Sequence, residues 1–240
     1  MIEPRIVAEG IAATLANADA VVLVGSVASG THHDRSDIDL IVIGDRDDST
    51  LLVEGGWLVS LSWRSPGEIR ATFADPGTAI LAVPAWRGAV ILADSNGLAA
   101  SLRADAAAWS WDRCAGVDNW AANELTSYAE EVVRLRGAIA RGDATITAVM
   151  TALLALHLAK IVGVFRRLLL SSENDLWRAV GEQEGPPWAA AQRAALGLDG
   201  QDWEARAVGA LRLFALAAAA IEAALLDGQR AVVDQALDAA

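Results

Sequence analysis

Two acidic residues at the start of an apolar run, Asp37 and Asp39, have the type and spacing to bind a metal ion. The run from Ile38 to Ile43 predicts a β-strand, and residues two apart in a strand point to the same face. Two carboxylates on one face repel each other unless a cation lies between them. Mg²⁺, or Mn²⁺ in its place, takes oxygen ligands and removes that cost. The pair therefore predicts a divalent-metal site.

A turn of small residues precedes the carboxylates by about ten positions. The apolar run Val21 to Val24 predicts a buried strand, which Gly25 and Ser26 end abruptly. Residues this small let a ligand approach the backbone, and free backbone amides suit a phosphate group. In the loop that follows, Arg35 and Ser36 are further candidate phosphate contacts, because a guanidinium group matches phosphate geometry. The alternative, a surface turn before a solvated strand end, is disfavoured by the apolar runs on both sides.

Composition and charge limit the range of partners. The 240-residue chain is 54% hydrophobic, with one cysteine and a formal net charge of −12. This charge argues against nucleic acid as a partner, because nucleic acids are polyanions, but it suits a cationic small molecule. The lone Cys114 excludes an internal disulfide, and the first residues lack the apolar core of a signal peptide, so we expect a cytoplasmic protein. No membrane association is expected, since the longest apolar stretch, 144–159, is about one turn short of a span.

The order of the segments predicts an α+β fold in two domains. Residues 1–97 carry the strand patterns, including a hairpin of Leu51–Glu54 with Trp57–Trp63, and we expect a small mixed sheet there. Residues 98–240 show apolar residues at helical spacing without strand patterns, which predicts a helical bundle. The other predicted elements are an opening helix near 3–17, a helix that starts at a Ser65 cap, a strand at Val90–Leu92, and helices near 117–141, 144–170, 173–184, 188–196 and 202–226.

Gly25-Ser26, a loop, and then Ser36-Asp37-Ile38-Asp39-Leu40 together resemble the signature of the polymerase-β-like nucleotidyltransferases. With a helical domain after the sheet domain, the architecture is similar to that of kanamycin nucleotidyltransferase-type enzymes. The resemblance implies a nucleotidyltransferase domain over residues 1–97 and a helical substrate-binding domain over residues 98–240. It also implies transfer of a nucleoside monophosphate from a magnesium-bound nucleoside triphosphate (NTP), such as ATP, to a hydroxyl group of a small molecule. An aminoglycoside-like antibiotic, which is cationic, is one such acceptor.

The chain departs from the family pattern at a metal-binding position. The family places a third carboxylate within the strand 57–63, where this chain has Ser60. A neutral hydroxyl is a poor replacement for a carboxylate on Mg²⁺. Glu54, on the partner strand of the hairpin, is one alternative source of the missing carboxylate.

A second departure concerns the general base. The family carries this glutamate on the first long helix of the helical domain, where the aligned residue is Ser127. Glu124 lies one turn earlier on the same helix face and is the expected base. Glu131, one turn later, and Glu130, on the neighbouring face, are the alternatives.

Two functions are compatible with these patterns. The first is an active nucleotidyltransferase that modifies a small hydroxyl compound. The second is a nucleotide-binding or regulatory protein on the same fold with weakened chemistry, which Ser60 and Ser127 favour. Asp37 and Asp39 predict binding of a metal and a nucleotide in both cases. The sequence leaves open the acceptor and the oligomeric state, a homodimer being one alternative.

Overall fold

In the computed structural model, which describes residues 2–46 and 48–238, the chain divides into two compact units. The first comprises the chain up to Ala115 together with Leu169–Glu173, and the second comprises Gly116–Leu168 with the chain from Asn174 onward. A five-stranded mixed sheet lies in the first unit, and the second unit is helical. The predicted α+β class is confirmed.

The first unit is built on a sheet whose strands are β1 (Ala20–Val24), β2 (Ile38–Ile43), β3 (Ser49–Glu54), β4 (Trp57–Arg64) and β5 (Val90–Asp94). Their order across the sheet is β3-β4-β2-β1-β5. β2 and β4 are parallel, and the other neighbouring strands are antiparallel. The predicted hairpin is therefore β3–β4, and the strand that carries Asp39 is β2, in the middle of the sheet.

The two faces of the sheet have different surroundings. One face packs on two helices, α1 (Pro4–Thr14) and α2 (Gly25–Ser29), in a buried core. That core includes Val7, Ala8, Ala12, Val27, Ile38, Leu40, Val42, Trp57, Val59 and Leu61. Asp39 and Ser60 alternate with these core residues along their strands, so they point to the opposite face. We call this opposite face of β2, β3 and β4 the site face.

The first two helices after the hairpin begin at capping residues. α3 (Pro66–Ala74) starts at the predicted Ser65 cap, whose hydroxyl accepts from the Glu68 amide at 3.2 Å while the Glu68 carboxylate accepts from the Ser65 amide at 2.7 Å. Two helices absent from the sequence prediction come next, α4 (Pro76–Arg87) and α5 (Leu98–Ala107). The residue that ends α3, Asp75, also caps α4 by accepting from the Thr78 amide at 2.9 Å.

The second unit contains seven α-helices within the described part of the chain. They are α6 (Val117–Ser127), α7 (Ala129–Ala140), α8 (Ala144–Phe165), α9 (Leu176–Glu184), α10 (Pro186–Leu196), α11 (Trp203–Ile221) and α12 (Asp227–Asp238). The single helix predicted over 117–141 is wrong, because the chain breaks it at Tyr128. Just before the break, the Thr126 and Ser127 hydroxyls donate to the carbonyl oxygens of Ala122 and Glu124, each at 2.7 Å. Such bonds compete with the backbone ladder and bend helices.

The length of α8 also corrects an expectation. Its apolar stretch continues past Lys160 to Phe165, giving 22 residues, so the helix is not too short to cross a bilayer. Within the described ranges, α8 and Trp203–Ala224 both have the length and composition of a membrane span. In α8, 50% of the most apolar window is buried inside the fold, and in Trp203–Ala224 the share is 44%. Core helices pass the same test, so this evidence for a span is weak.

The Ser65 cap leads to a prediction about stability. Replacing Ser65 with Ala removes the hydroxyl that accepts from the Glu68 amide, while the bond from the residue 65 amide to the Glu68 carboxylate can remain, and should lower the free energy of unfolding by about 1 kcal/mol. The control is Ser101→Ala, at an exposed position inside α5. Urea unfolding followed by tryptophan fluorescence measures both variants, and an equal effect of the two changes would contradict the role of the cap.

Candidate functional site

Gly25 and Asp39 are in close contact at the end of β1. Strand β1 is buried along its whole length, and its last residue, Val24, pairs with Asp39 of β2. The next residue, Gly25, has φ +72°, a left-handed conformation that favours glycine. A Cβ atom at this position would lie 2.8 Å from Oδ2 of Asp39. The carboxylate therefore occupies the space that a side chain at residue 25 would need.

The turn after β1 continues directly into the short helix α2. The first amides of a helix have no acceptor within it, so the start of α2 leaves backbone donors beside Gly25 and Ser26. The carbonyl oxygens of these two residues, by contrast, accept from the Ser29 hydroxyl at 3.2 Å. These two hydrogen bonds from Ser29 stabilise the turn. The predicted phosphate contact at Gly25 and Ser26 is compatible with this arrangement and stays a prediction.

The loop between α2 and β2 is ordered by Ser36. Its hydroxyl accepts from the His33 amide at 3.0 Å, and its amide donates to the His33 carbonyl at 2.9 Å. The Arg35 amide donates to Nδ1 of His33 at 3.1 Å, which adds a third bond to the same loop. The Arg35 guanidinium is exposed and makes no ion pair with the described residues. Ser36 thus shapes the loop, whereas Arg35 has a side chain available for an anion.

Asp37 and Asp39 lie at the entrance of β2 with different exposure. Asp37 precedes the strand and is exposed, and Asp39 is half-buried. Burial, and then the charge of the nearby Asp37 carboxylate, raise the pKa of Asp39 above its ordinary value. The two carboxylates are thus close enough to repel each other, as the sequence predicts. Within residues 2–46 and 48–238, no group of three or more His, Cys, Asp and Glu side chains forms a metal site.

The pairing of β2 with β4 determines what lies beside Asp39. The Cα partner of Asp39 in this parallel pair is Ser60, and paired residues of neighbouring strands point to the same face. Ser60 is half-buried on the site face. A carboxylate at this position would stand next to Asp39, and the chain has a hydroxyl there instead.

Glu54 does not replace the missing carboxylate. It pairs with Trp57, whose ring belongs to the buried core on the face opposite the site face. The residue of β3 that pairs with Ser60 is Leu51, three positions earlier. Because side chains alternate along a strand, Glu54 points away from Asp39. The alternative that Glu54 supplies the third ligand is therefore wrong.

The candidate general bases lie in the second unit, around the break between α6 and α7. Glu124 and Glu131 are half-buried and flank Tyr128, whose pKa is raised by burial and then by these two carboxylates. Glu130 instead forms an exposed ion pair with Arg134 at 2.5 Å. The Ser127 hydroxyl is used in its bond to the Glu124 carbonyl. Glu124 and Glu131 thus have carboxylates without an ion pair to a described residue, and the role of a base stays a prediction.

Comparisons with known proteins agree with the geometry of the first unit. Residues 9–65 match the family model for the nucleotidyltransferase domain, a segment that contains β1 to β4 and both acids. The fold is similar to that of a nucleotidyltransferase-like protein from Exiguobacterium sibiricum, with a TM-score of 0.51 and 15% sequence identity over 90% of this chain and 74% of that one. At this identity the likeness concerns the fold alone. No curated protein matches the sequence.

The contact between Gly25 and Asp39 leads to a second prediction. Gly25→Ala should displace the Asp39 carboxylate and weaken Mn²⁺ binding by about tenfold or more, because a metal site tolerates little movement of its ligands. Gly30→Ala is the matched control. Gly30 has nearly the same backbone conformation, φ +73°, but open space where a Cβ would lie. Electron paramagnetic resonance of Mn²⁺ measures both variants, and equal losses would show that backbone strain, not the Asp39 contact, is responsible.

Proposed function

We propose that this protein is a Mg²⁺-dependent nucleotidyltransferase, which transfers a nucleoside monophosphate from an NTP to a hydroxyl group of a small molecule. One observation carries the proposal: the turn at Gly25 and the Asp39 carboxylate are in contact, inside the segment that matches the nucleotidyltransferase domain. A phosphate-binding turn is useful for this reaction only if it adjoins the carboxylates that hold the metal.

The residues of the first unit fit a metal–nucleotide complex. Asp37 and Asp39 would hold Mg²⁺, and its remaining positions would be filled by phosphate oxygens and water, as is usual for this ion. Burial and, to a smaller extent, the charge of Asp37 raise the pKa of Asp39, and a bound cation would offset both effects, which supports this assignment. When bound, the ion supplies positive charge beside the phosphates. Gly25 and Ser26 would bind the phosphates through the backbone, and Arg35 through its guanidinium.

The proposed transfer exchanges one bond to phosphorus for another and moves one proton to a base of the protein. The acceptor oxygen forms a bond to the α-phosphorus, and the bond from that phosphorus to the bridging oxygen breaks, so pyrophosphate leaves. The proton of the acceptor hydroxyl goes to a base, which we assign to Glu124, with Glu131 as the alternative. The net charge of −12 is compatible with a cationic acceptor such as an aminoglycoside.

A second function is favoured by one specific observation. Ser60 is paired with Asp39, where a third carboxylate would help to hold a metal that activates the acceptor hydroxyl. Without that carboxylate the chain would bind a nucleotide through Asp37 and Asp39 but transfer it slowly. The second candidate is therefore a nucleotide-binding or regulatory protein on the same fold.

The test of metal-dependent nucleotide binding is Asp39→Asn. This change removes the charge but keeps the shape, and it should weaken binding of a non-hydrolysable NTP in Mg²⁺ by about tenfold or more. Asp34→Asn is the control, since Asp34 is an exposed acid of the same loop. Titration calorimetry with and without Mg²⁺ measures the affinities. Equal affinity of wild type and Asp39→Asn in Mg²⁺ would exclude the proposed metal site.

Ser60→Asp separates the two candidate functions. A carboxylate at this position should raise Mg²⁺ affinity by about tenfold or more in both cases, because it adds a charged oxygen ligand. Turnover should rise by orders of magnitude only if the protein binds an acceptor and positions a base for it. Pyrophosphate release measures turnover.

The matched control for this change is Ser62→Asp. Ser62 lies on the same face of β4 but pairs with Ile41 rather than with Asp39. A carboxylate there should not improve Mg²⁺ binding or turnover. If Ser60→Asp changes neither quantity, Ser60 is not at the metal site.

A further inference from the structure

We infer that the acceptor carries an apolar group, which packs on three exposed side chains of the site face beside the predicted metal site. We call these three side chains, Leu51, Val53 and Leu58, the apolar shelf. This inference rests on the proposed function, and it names the chemical class of the acceptor.

The apolar shelf is exposed although its members are large and hydrophobic. Leu51 is 68% exposed, Val53 73% and Leu58 47%. Val53 pairs with Leu58, and Leu51 is two positions from Val53 on the same strand, so the three side chains are neighbours on one face. Single exposed apolar residues are ordinary, but an adjacent group of them beside a functional site indicates a surface that binds something.

The apolar shelf is continuous with the predicted metal site. Asp39 of β2 pairs with Ser60 of β4, and Ser60 in turn pairs with Leu51 of β3. Because neighbouring strands are about 4.8 Å apart, Leu51 lies roughly 10 Å from Asp39 across the sheet. A small molecule whose hydroxyl group reaches the metal site can therefore extend over the apolar shelf.

The geometry of the proposed transfer favours an acceptor on the side of β2 where β4 and β3 lie. The phosphate-binding turn at Gly25 follows β1, on one side of β2, whereas β4 and β3 lie on the other side. In an in-line displacement, the leaving pyrophosphate and the attacking oxygen are on opposite sides of the phosphorus. If the turn holds the phosphates, the acceptor hydroxyl approaches from above Ser60. An acceptor whose remaining atoms lie over β4 and β3 satisfies this geometry.

The apolar shelf carries no charge of its own that would recognise a cation. Along β3 and β4 the one acidic residue is Glu54, which points to the opposite face. The other site-face positions of these two strands are three serines, Ser49, Ser60 and Ser62, and Arg64. The apolar shelf offers a cationic group no carboxylate of β3 or β4, whereas an alkyl or aryl group would bury apolar surface there.

Two probes with the same hydroxyl and chain length test the inference. 4-Phenylbutan-1-ol ends in an apolar ring, and 4-aminobutan-1-ol ends in a cation. With the whole protein, Mg²⁺ and a non-hydrolysable NTP, the phenyl compound should bind at least about tenfold more tightly. It should also shift the NMR signals of the ¹³C-labelled methyl groups of Leu51, Val53 and Leu58. Single substitutions assign these signals.

A matched pair of variants locates the binding. Val53→Thr and Val208→Thr replace one methyl group with a hydroxyl at positions of similar exposure, 73% and 63%. Val53→Thr should weaken binding of 4-phenylbutan-1-ol about threefold or more, because an apolar contact becomes polar, and should leave Mg²⁺–NTP affinity unchanged. Val208→Thr, on α11 of the second unit, should change neither.

The outcomes distinguish this inference from the proposed function. If the wild type binds Mg²⁺–NTP but prefers 4-aminobutan-1-ol, or if Val53→Thr binds the phenyl compound as well as the wild type, the apolar shelf is not the acceptor surface and the proposed function stands. If the wild type does not bind Mg²⁺–NTP, both are overturned. If the protein dimerises and Val53→Thr abolishes the dimer in sedimentation, the apolar shelf is covered by a second copy and the inference is overturned.

Discussion

The contact between Gly25 and Asp39 is the constraint on which the first unit depends. β1 ends at Val24, and the next residue has no room for a side chain beside the Asp39 carboxylate. A glycine that adopts a left-handed conformation satisfies this requirement and turns the chain into α2 at once. The same contact brings a backbone turn and a carboxylate together before any ligand binds. Preorganisation of this kind lowers the cost of ordering a site when the ligand arrives.

The parallel pairing of β2 with β4 fixes the remaining neighbours of Asp39. The chain leaves β2, forms the edge strand β3, and returns as β4 between them. β2 and β4 pair in parallel without a helical crossover. The antiparallel strand β3 connects them, because it returns the chain to the end of the sheet at which β2 begins. The register that results places Ser60 beside Asp39 and Leu51 beside Ser60. A shift by one residue would have placed Val59 or Leu61 at the site and Ser60 in the core.

Local patterns in the sequence predict much of this fold, and the misses have physical causes. The strand that carries Asp39, the β3–β4 hairpin and the Ser65 cap each depend on residues close in the chain, and the structure confirms these elements. α4 escaped prediction because Asp75-Pro76-Gly77 signals the end of one helix and the start of the next, and because Pro84 lies inside α4. The break at Tyr128 depends on hydroxyl-to-carbonyl bonds that hydrophobic spacing does not reveal. The facing of Glu54 depends on strand register, which involves partners distant in sequence.

A serine rather than a carboxylate at position 60 affects both the charge repulsion around Asp39 and the number of ligands available to a metal ion. Burial, and then the charge of Asp37, already raise the pKa of Asp39, so a charged carboxylate at this position is unfavourable without a cation. A third carboxylate beside Asp39 would add repulsion between negative charges. Only a bound metal ion would relieve that repulsion. A serine removes this cost but leaves one ligand fewer for the ion. In the proposed function, the site would thus have less repulsion without its ion, and its affinity for the metal that activates the acceptor would be lower for the same reason. Functional sites commonly lose stability where activity needs unfavourable charges, and in the proposed function this cost would depend on one side chain of β4, at position 60.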